Sequence, residues 1–348
     1  KWAKENGLIT PGLYGFGKAA AKGGHLEVLK WVKENEISIH EFPGHTCTGA
    51  AQGNHFEILK WANENGFDIT ADTFRAAVKK GDLSMVQWLR EKRCPWDEAA
   101  CAVAARRGNL DMLKWMKEIG YGWNARACAL AAGRGHLEVL KWLRDNGCPW
   151  NKHTSENAAL RGQIEVLKWA RENGCDWGTG ACTAAAGGGN LEILKWLREK
   201  GCPWNFKTYL AASRGGHLEA LKWAKDNGLT WEDAHGASFC AVTASKGHLE
   251  VLKWLTENGC RNWEQESCVA AVQGGHLEVL KWAVIENKEY DWWRIGYNAI
   301  CADSLTIVKW LVVEGHPVSW TKLVLDCSEN GDFILLPILQ YLKSKRYC

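Results

Sequence analysis

The chain lacks any run of about 18 uncharged apolar residues, the length a bilayer-crossing helix needs. Its opening, KWAKENGLIT, lacks the apolar core of a secretory signal. A strong excess of either charge is also missing. The 43 Lys and Arg residues stand against 40 Asp and Glu, a formal charge of +3, which argues against a dedicated nucleic-acid binder. No Cys-x-x-Cys occurs, so the 14 cysteines give no support for a zinc module. No alternating apolar and polar run is long enough for a strand. No Ser/His/Asp set, paired-carboxylate cleft or phosphate-binding loop stands out. Gly187-Gly188-Gly189 falls in a turn between helices, not after a strand. These absences lead us to expect neither catalysis nor a cofactor nor a bound metal.

What is present is repetition. The stretch GHLEVLKWLRDNGCPW at residues 135–150 recurs in near-copies along the chain. Its first tryptophan falls at Trp2, Trp31, Trp61, Trp88, Trp115, Trp142, Trp169, Trp196, Trp223, Trp254, Trp282 and Trp310. From Trp61 to Trp223 every step is 27 residues; elsewhere the steps are 28 to 31. Tyr341 takes the next such position. Self-similarity at a fixed short period overrides the several-domain expectation that 348 residues would otherwise carry. The expectation is one solenoid over 1–348: about twelve units, a half unit at the start, and a C-terminal cap at 327–348 that ends in Lys343, Lys345 and Arg346. Because Lys1 to Gly7 matches the second half of a unit, the natural protein is expected to continue upstream.

Each unit reads as two short helices. Asp97 can cap a first helix from Glu98 to about Arg107, and Gly108 ends it. Asn109 can cap a second helix from Leu110 to about Ile119, and Gly120 ends that one. Pro149 and Pro203, two residues past such a glycine, prevent continuation. In the second helix Glu138, Lys141 and Asp145 share one narrow face, while Leu137, Val139, Leu140, Trp142 and Leu143 cover most of the rest. Such a helix must pack on more than one side. The first helix is rich in alanine, as at Ala104-Ala105 and Ala184-Ala185-Ala186. A slim helix paired with a bulky one makes a wedge, so the alanine-rich side is expected to line the concave face.

The Gly-His-Leu-Glu-Val-Leu-Lys-Trp-Leu segment resembles the second-helix signature of ankyrin repeats. The following Asn-Gly-Cys-Pro-Trp-Asn looks like that family's turn, and the preceding Ala-Ala-x-x-Gly is similar to the end of its first helix. The unit is shorter than the family's usual length of about 33 residues. The shortfall lies where ankyrins carry a β-hairpin finger, so fingers are expected to be absent or reduced. The Thr-Pro-Leu-His opening is also replaced, by Ala99-Ala100-Cys101-Ala102 in one unit. The resemblance implies an all-α, ankyrin-type helical-repeat solenoid of paired antiparallel helices. It also implies a non-enzymatic scaffold for protein–protein interaction.

Four residue classes are candidates for more than packing. The repeated tryptophans, with a second column at Trp96, Trp123, Trp150, Trp177, Trp204 and Trp231, could form an indole ladder for stacking ligands. The favoured reading is that they fill space between units, with Trp292 and Trp293 more exposed. Cysteines form one column at Cys47, Cys101, Cys128, Cys182, Cys240 and Cys268, and another at Cys94, Cys148, Cys175, Cys202 and Cys260. Column neighbours about 8–10 Å apart are too distant to bridge, so all are read as small buried residues in a reducing, intracellular compartment. His25, His55, His136, His217, His248 and His276 interchange with Asn and Asp, which favours a turn or capping role over metal ligation. The fourth class is basic: Lys22, Lys79, Lys80, Arg106, Arg107, Arg134, Arg161, Arg214 and Lys246, just before the Gly-His turn. Cations at a helix C-terminus are favoured by its dipole, by about 0.3–1 kcal/mol each, and that alone can account for them. The sharper reading is a stripe that receives an acidic peptide or an acidic protein surface, and less readily nucleic-acid phosphate. A further alternative is an adaptor for an enzyme or ubiquitin-ligase complex whose working domain lies upstream.

Overall fold

The computed structural model describes residues 15–35, 45–230, 237–260, 264–286, 290–329 and 336–347. Trp2, Trp231, the opening half unit and residues 330–335 of the cap lie outside the described residues.

The described residues are helical, with no strand among them. In chain order the first-helix and second-helix pairs are α1 (Phe16–Gly23) and α2 (Leu26–Glu34); α3 (His45–Gly53) and α4 (Phe56–Glu64); α5 (Ala71–Lys80) and α6 (Leu83–Glu91); α7 (Ala99–Arg107) and α8 (Leu110–Glu118); α9 (Ala125–Gly133) and α10 (Leu137–Asp145). The same alternation continues through Lys152–Leu160 with Ile164–Glu172, Gly180–Gly187 with Leu191–Glu199, and on to Leu336–Ser344. The residues group into two compact units, Lys1–Ala158 with Gln163–Asp176, and Ala159–Gly162 with Trp177–Cys348.

Local chemistry sets the ends of these helices. Asp97 Oδ1 accepts from the Ala99 amide at 3.1 Å, and Asn109 Oδ1 accepts from the Met112 amide at 3.0 Å. Second helices close through the asparagine of the Asn-Gly step. Its Nδ2 donates to the tryptophan carbonyl four residues back, as in Asn65 to Trp61 and Asn146 to Trp142, both at 2.7 Å. That bond satisfies a carbonyl the helix leaves without an internal partner. The first helix α7 closes on Gly108, whose φ of 73° lies in the left-handed region where a Cβ is penalised.

In the first unit, first helices pack on first helices: α1 on α3, α3 on α5, α5 on α7, and α7 on α9. Small side chains permit this close approach. Ala21, Cys47, Ala50, Ala77, Ala104, Ala105, Cys101 and Cys128 are fully buried. Each second helix supplies a fully buried leucine to the same core, such as Leu29, Leu59, Leu113 and Leu140. In α10, Val139, Leu140 and Leu143 are buried while Glu138 and Asp145 are exposed, as the apolar pattern required.

The tryptophans differ from expectation. Among the described residues only Trp177 and Trp320 are buried. The repeated columns are otherwise half-buried, and Trp293 is exposed. The indoles still bridge successive repeats, edge to face: Trp123 with Trp142 at 5.6 Å, Trp150 with Trp169 at 5.7 Å, Trp177 with Trp196 at 5.8 Å, and Trp204 with Trp223 at 5.7 Å. An indole gripped along one edge keeps its other edge at the surface, where its N–H can be hydrated.

The cysteine reading is corrected at one site. Cys240 and Cys260 are joined by a disulfide, with Cα atoms 7.2 Å apart. The pair crosses from the first-helix column to the turn column within one repeat, a pairing that comparison within columns does not consider. Cys128 and Cys148, and Cys182 and Cys202, share the same 20-residue separation and remain buried thiols. The histidine reading is corrected too. The histidines stand at the N-cap position, but their side chains accept no capping bond. Four of the rings reach back to the first helix of the preceding repeat instead. Nε2–H donates from His136 to the Arg106 carbonyl at 3.2 Å, and from His217 to the Gly187 carbonyl at 3.2 Å. His248 bonds the Arg214 carbonyl and His276 the Ser245 carbonyl, each at 3.1 Å.

Candidate functional site

The helix–turn–helix geometry places every residue of the basic column at the end of a first helix. Lys22, Lys79, Lys80, Arg106, Arg107 and Arg214 lie in last turns, and Arg134 stands at the C-cap of α9. Arg161 follows Leu160, and Lys246 follows Ser245, each the last residue of its helix. All nine are exposed.

Four of them converge. A groove of about 730 Å³ runs across the first helices of four successive repeats, α1, α3, α5 and α7, and takes in Lys22, Lys79, Lys80 and Arg107. Arg106 and Arg134, in the same compact unit, do not line it. Arg161, Arg214 and Lys246 belong to the other compact unit.

The groove also holds residues the column did not include. Lys18 lies one turn before Lys22 on α1, and Arg75 one turn before Lys79 on α5. The signal was available, since residues at i and i+4 share a helix face. From α3 come His45, Thr48 and Gln52, and the wall is completed by Thr70, Asp72, Ala76 and Val103. Thr48 and Thr73 hydroxyls meet at 3.0 Å and tie α3 to α5 beneath the groove.

The electrostatics of this groove differ from those of the second helices. There, lysine and glutamate three residues apart neutralise each other: Lys30 with Glu27 at 2.8 Å, Lys60 with Glu57 at 3.0 Å, and Lys141 with Glu138 at 2.8 Å. In the other compact unit Lys195, Lys222, Lys253 and Lys281 pair likewise. In the groove, Arg75 is engaged by Asp72 and, at 2.5 Å, by Asp97. Those carboxylates hold its guanidinium still more firmly charged, the Asp72 hydrogen bond first. Lys22, Lys79, Lys80 and Arg107 form no ion pair among the described residues.

Burial pushes the thiols of Cys47, Cys94 and Cys101 up to about 12, so they stay protonated at neutral pH. Among the described residues no three His, Cys, Asp or Glu side chains are grouped to hold a metal ion. No described helix is long and apolar enough to cross a membrane.

No protein-family model and no curated protein sequence matches the chain. Among solved structures it is similar to the crystal structure of the human ASB11 ankyrin repeat domain. The match has 17% identity and a TM-score of 0.39, over 54% of this chain and 98% of that one. The described residues themselves show an all-helical arrangement of helix pairs repeated along the chain.

Proposed function

We propose that this chain is a non-enzymatic interaction scaffold that holds an acidic protein segment in the groove across α1, α3, α5 and α7. The observation that carries the reading is a separation of charge. Lys30, Lys60 and Lys141 on second helices sit beside glutamates of their own helix, whereas Lys22, Lys79, Lys80 and Arg107 line the groove with no ion pair among the described residues. Helix-dipole stabilisation accounts for cations at these positions, but not for their convergence on one groove. The helices are already ordered, so a ligand meets little reorganisation cost. A peptide fits better than single-stranded nucleic acid, because no Phe, Tyr or Trp among the described residues lines the groove to stack on bases. Arg106 and Arg134 lie beyond the groove and would strengthen the attraction at longer range. Arg161, Arg214 and Lys246 extend the basic column along the chain. The shared pattern of helix pairs supports reading 1–348 as one run of repeats.

The test uses defined probes on the full chain. Labelled polyglutamate and a single-stranded oligonucleotide of equal charge are titrated at several salt concentrations. We expect polyglutamate to bind, and binding to weaken as salt rises. The triple variant Lys79→Glu, Lys80→Glu, Arg107→Glu should abolish it, and Lys141→Gln on a second helix should leave it unchanged. Tighter binding of the oligonucleotide, or binding indifferent to the triple variant, overturns the proposal.

A further inference from the structure

We infer that the groove reads spacing as well as charge: its ligand is an extended acidic peptide whose carboxylates are separated by multiples of three residues. This rests on the function proposed above and adds a register to it.

The register comes from comparing two repeats. The groove crosses first helices that pack side by side, α1 on α3, α3 on α5, α5 on α7. Packed helices lie about 8–10 Å apart. A polyproline II chain rises about 3.1 Å per residue, so three residues span about 9.3 Å and complete one turn. Every third side chain then points to the same side, and each such side chain meets a new helix. No other period in an extended ligand keeps its acids in step with the units.

The cations add an order to this period. Lys22 stands on α1, Lys79 and Lys80 on α5, and Arg107 on α7. Between α1 and α5, α3 offers His45, Thr48 and Gln52 and no lysine or arginine. Acids are therefore wanted opposite the first, third and fourth helices. Along the ligand the two gaps are six residues and three, or three and six, according to chain direction. The residue facing α3 needs no charge.

The test compares labelled ten-residue, proline-rich peptides of identical composition by fluorescence anisotropy against the full chain. Each carries three glutamates, spaced six and three, three and six, or four and four. We expect one of the first two to bind about tenfold more tightly than the last, since exposed ion pairs each contribute modestly. A second arm uses Gln52→Lys, whose folding is checked by circular dichroism. This variant should gain affinity for a peptide with glutamate at every third position and gain none for the four-and-four peptide. Equal binding of all three peptides, lost in the triple charge-reversed variant, overturns the register and leaves the acidic-ligand reading standing. Preference for a helical peptide with acids seven residues apart also overturns the register. Failure of every acidic peptide and of polyglutamate overturns both.

Discussion

Gly108 and His136 act together although they belong to different repeats. The glycine takes a φ of 73°, and a Cβ added there would meet the His136 ring at 2.8 Å. Gly108→Ala is therefore expected to cost more than about 1 kcal/mol, from backbone strain and from displacing the ring. His136→Ala removes the bond to the Arg106 carbonyl and should cost about 0.5–1.5 kcal/mol. His136→Asn should cost less, because Asn190 at the equivalent position reaches the Ala159 carbonyl at 2.8 Å and the Leu160 carbonyl at 3.0 Å. Urea unfolding of the three variants checks the order, and equal midpoints for all three would remove the inter-repeat role. His316 gives a second residue-scale prediction. Its ring stacks on Trp292 at 4.0 Å and lies 4.7 Å from Trp310, and burial lowers its pKa below the ordinary 6.5. The folded state thus resists protonation more than the unfolded chain does. Stability is full above the unfolded pKa and declines as pH falls from 6.5 toward the lower folded value. Melting curves across that window should show the loss, and His316→Gln should reduce it.

At the scale of one element, the second helix separates its stabilising face from its charged face. Leu140→Ala in α10 should cost about 2–5 kcal/mol, because a fully buried side chain leaves a cavity. Glu138→Ala, which loses only the exposed pair with Lys141, should cost about 0.2–0.5 kcal/mol. Chemical denaturation of both variants tests the contrast, and similar costs would contradict the assigned faces. Elements of this kind were legible before any coordinates. Helix ends follow from Asp97, Asn109 and Gly108, and the buried leucine follows from an apolar pattern that leaves one polar stripe. The position of each basic-column residue at a helix end was legible for the same reason, since Gly follows at once. What lay beyond the sequence depends on neighbours about one repeat away. The reach of His136 to Arg106, the edgewise seating of Trp142 on Trp123, and the joining of Cys240 to Cys260 each need the packing of separate elements. The selection of Lys22, Lys79, Lys80 and Arg107 from nine candidates needed the groove itself.

For the whole molecule, the repeat logic makes stability a sum of local terms. From Phe16–Gly23 to Ala125–Gly133, and again from Gly180–Gly187 to Trp320–Glu329, each first helix packs on the next. In such arrays a unit's intrinsic stability and its contacts with nearest neighbours set how readily it opens. The Leu140→Ala cost should therefore fall on the helices around α10 rather than on the chain as a whole. Native-state hydrogen exchange can read this directly, because locally opening segments exchange at free energies below that of global unfolding. Amides of α9, α10 and the helices packed on them should lose protection in the variant. Those of Leu277–Glu286 and Leu305–Val313, many repeats further along, should keep theirs. A uniform loss across all helices would show one cooperative block and would contradict the nearest-neighbour account. The local result also bears on the groove, whose floor ends at α7. Leu140→Ala, which reaches the groove only through α9 and α7, should weaken affinity for an acidic peptide less than the same leucine truncation in α6, Leu89→Ala, which loosens the helix paired with α5.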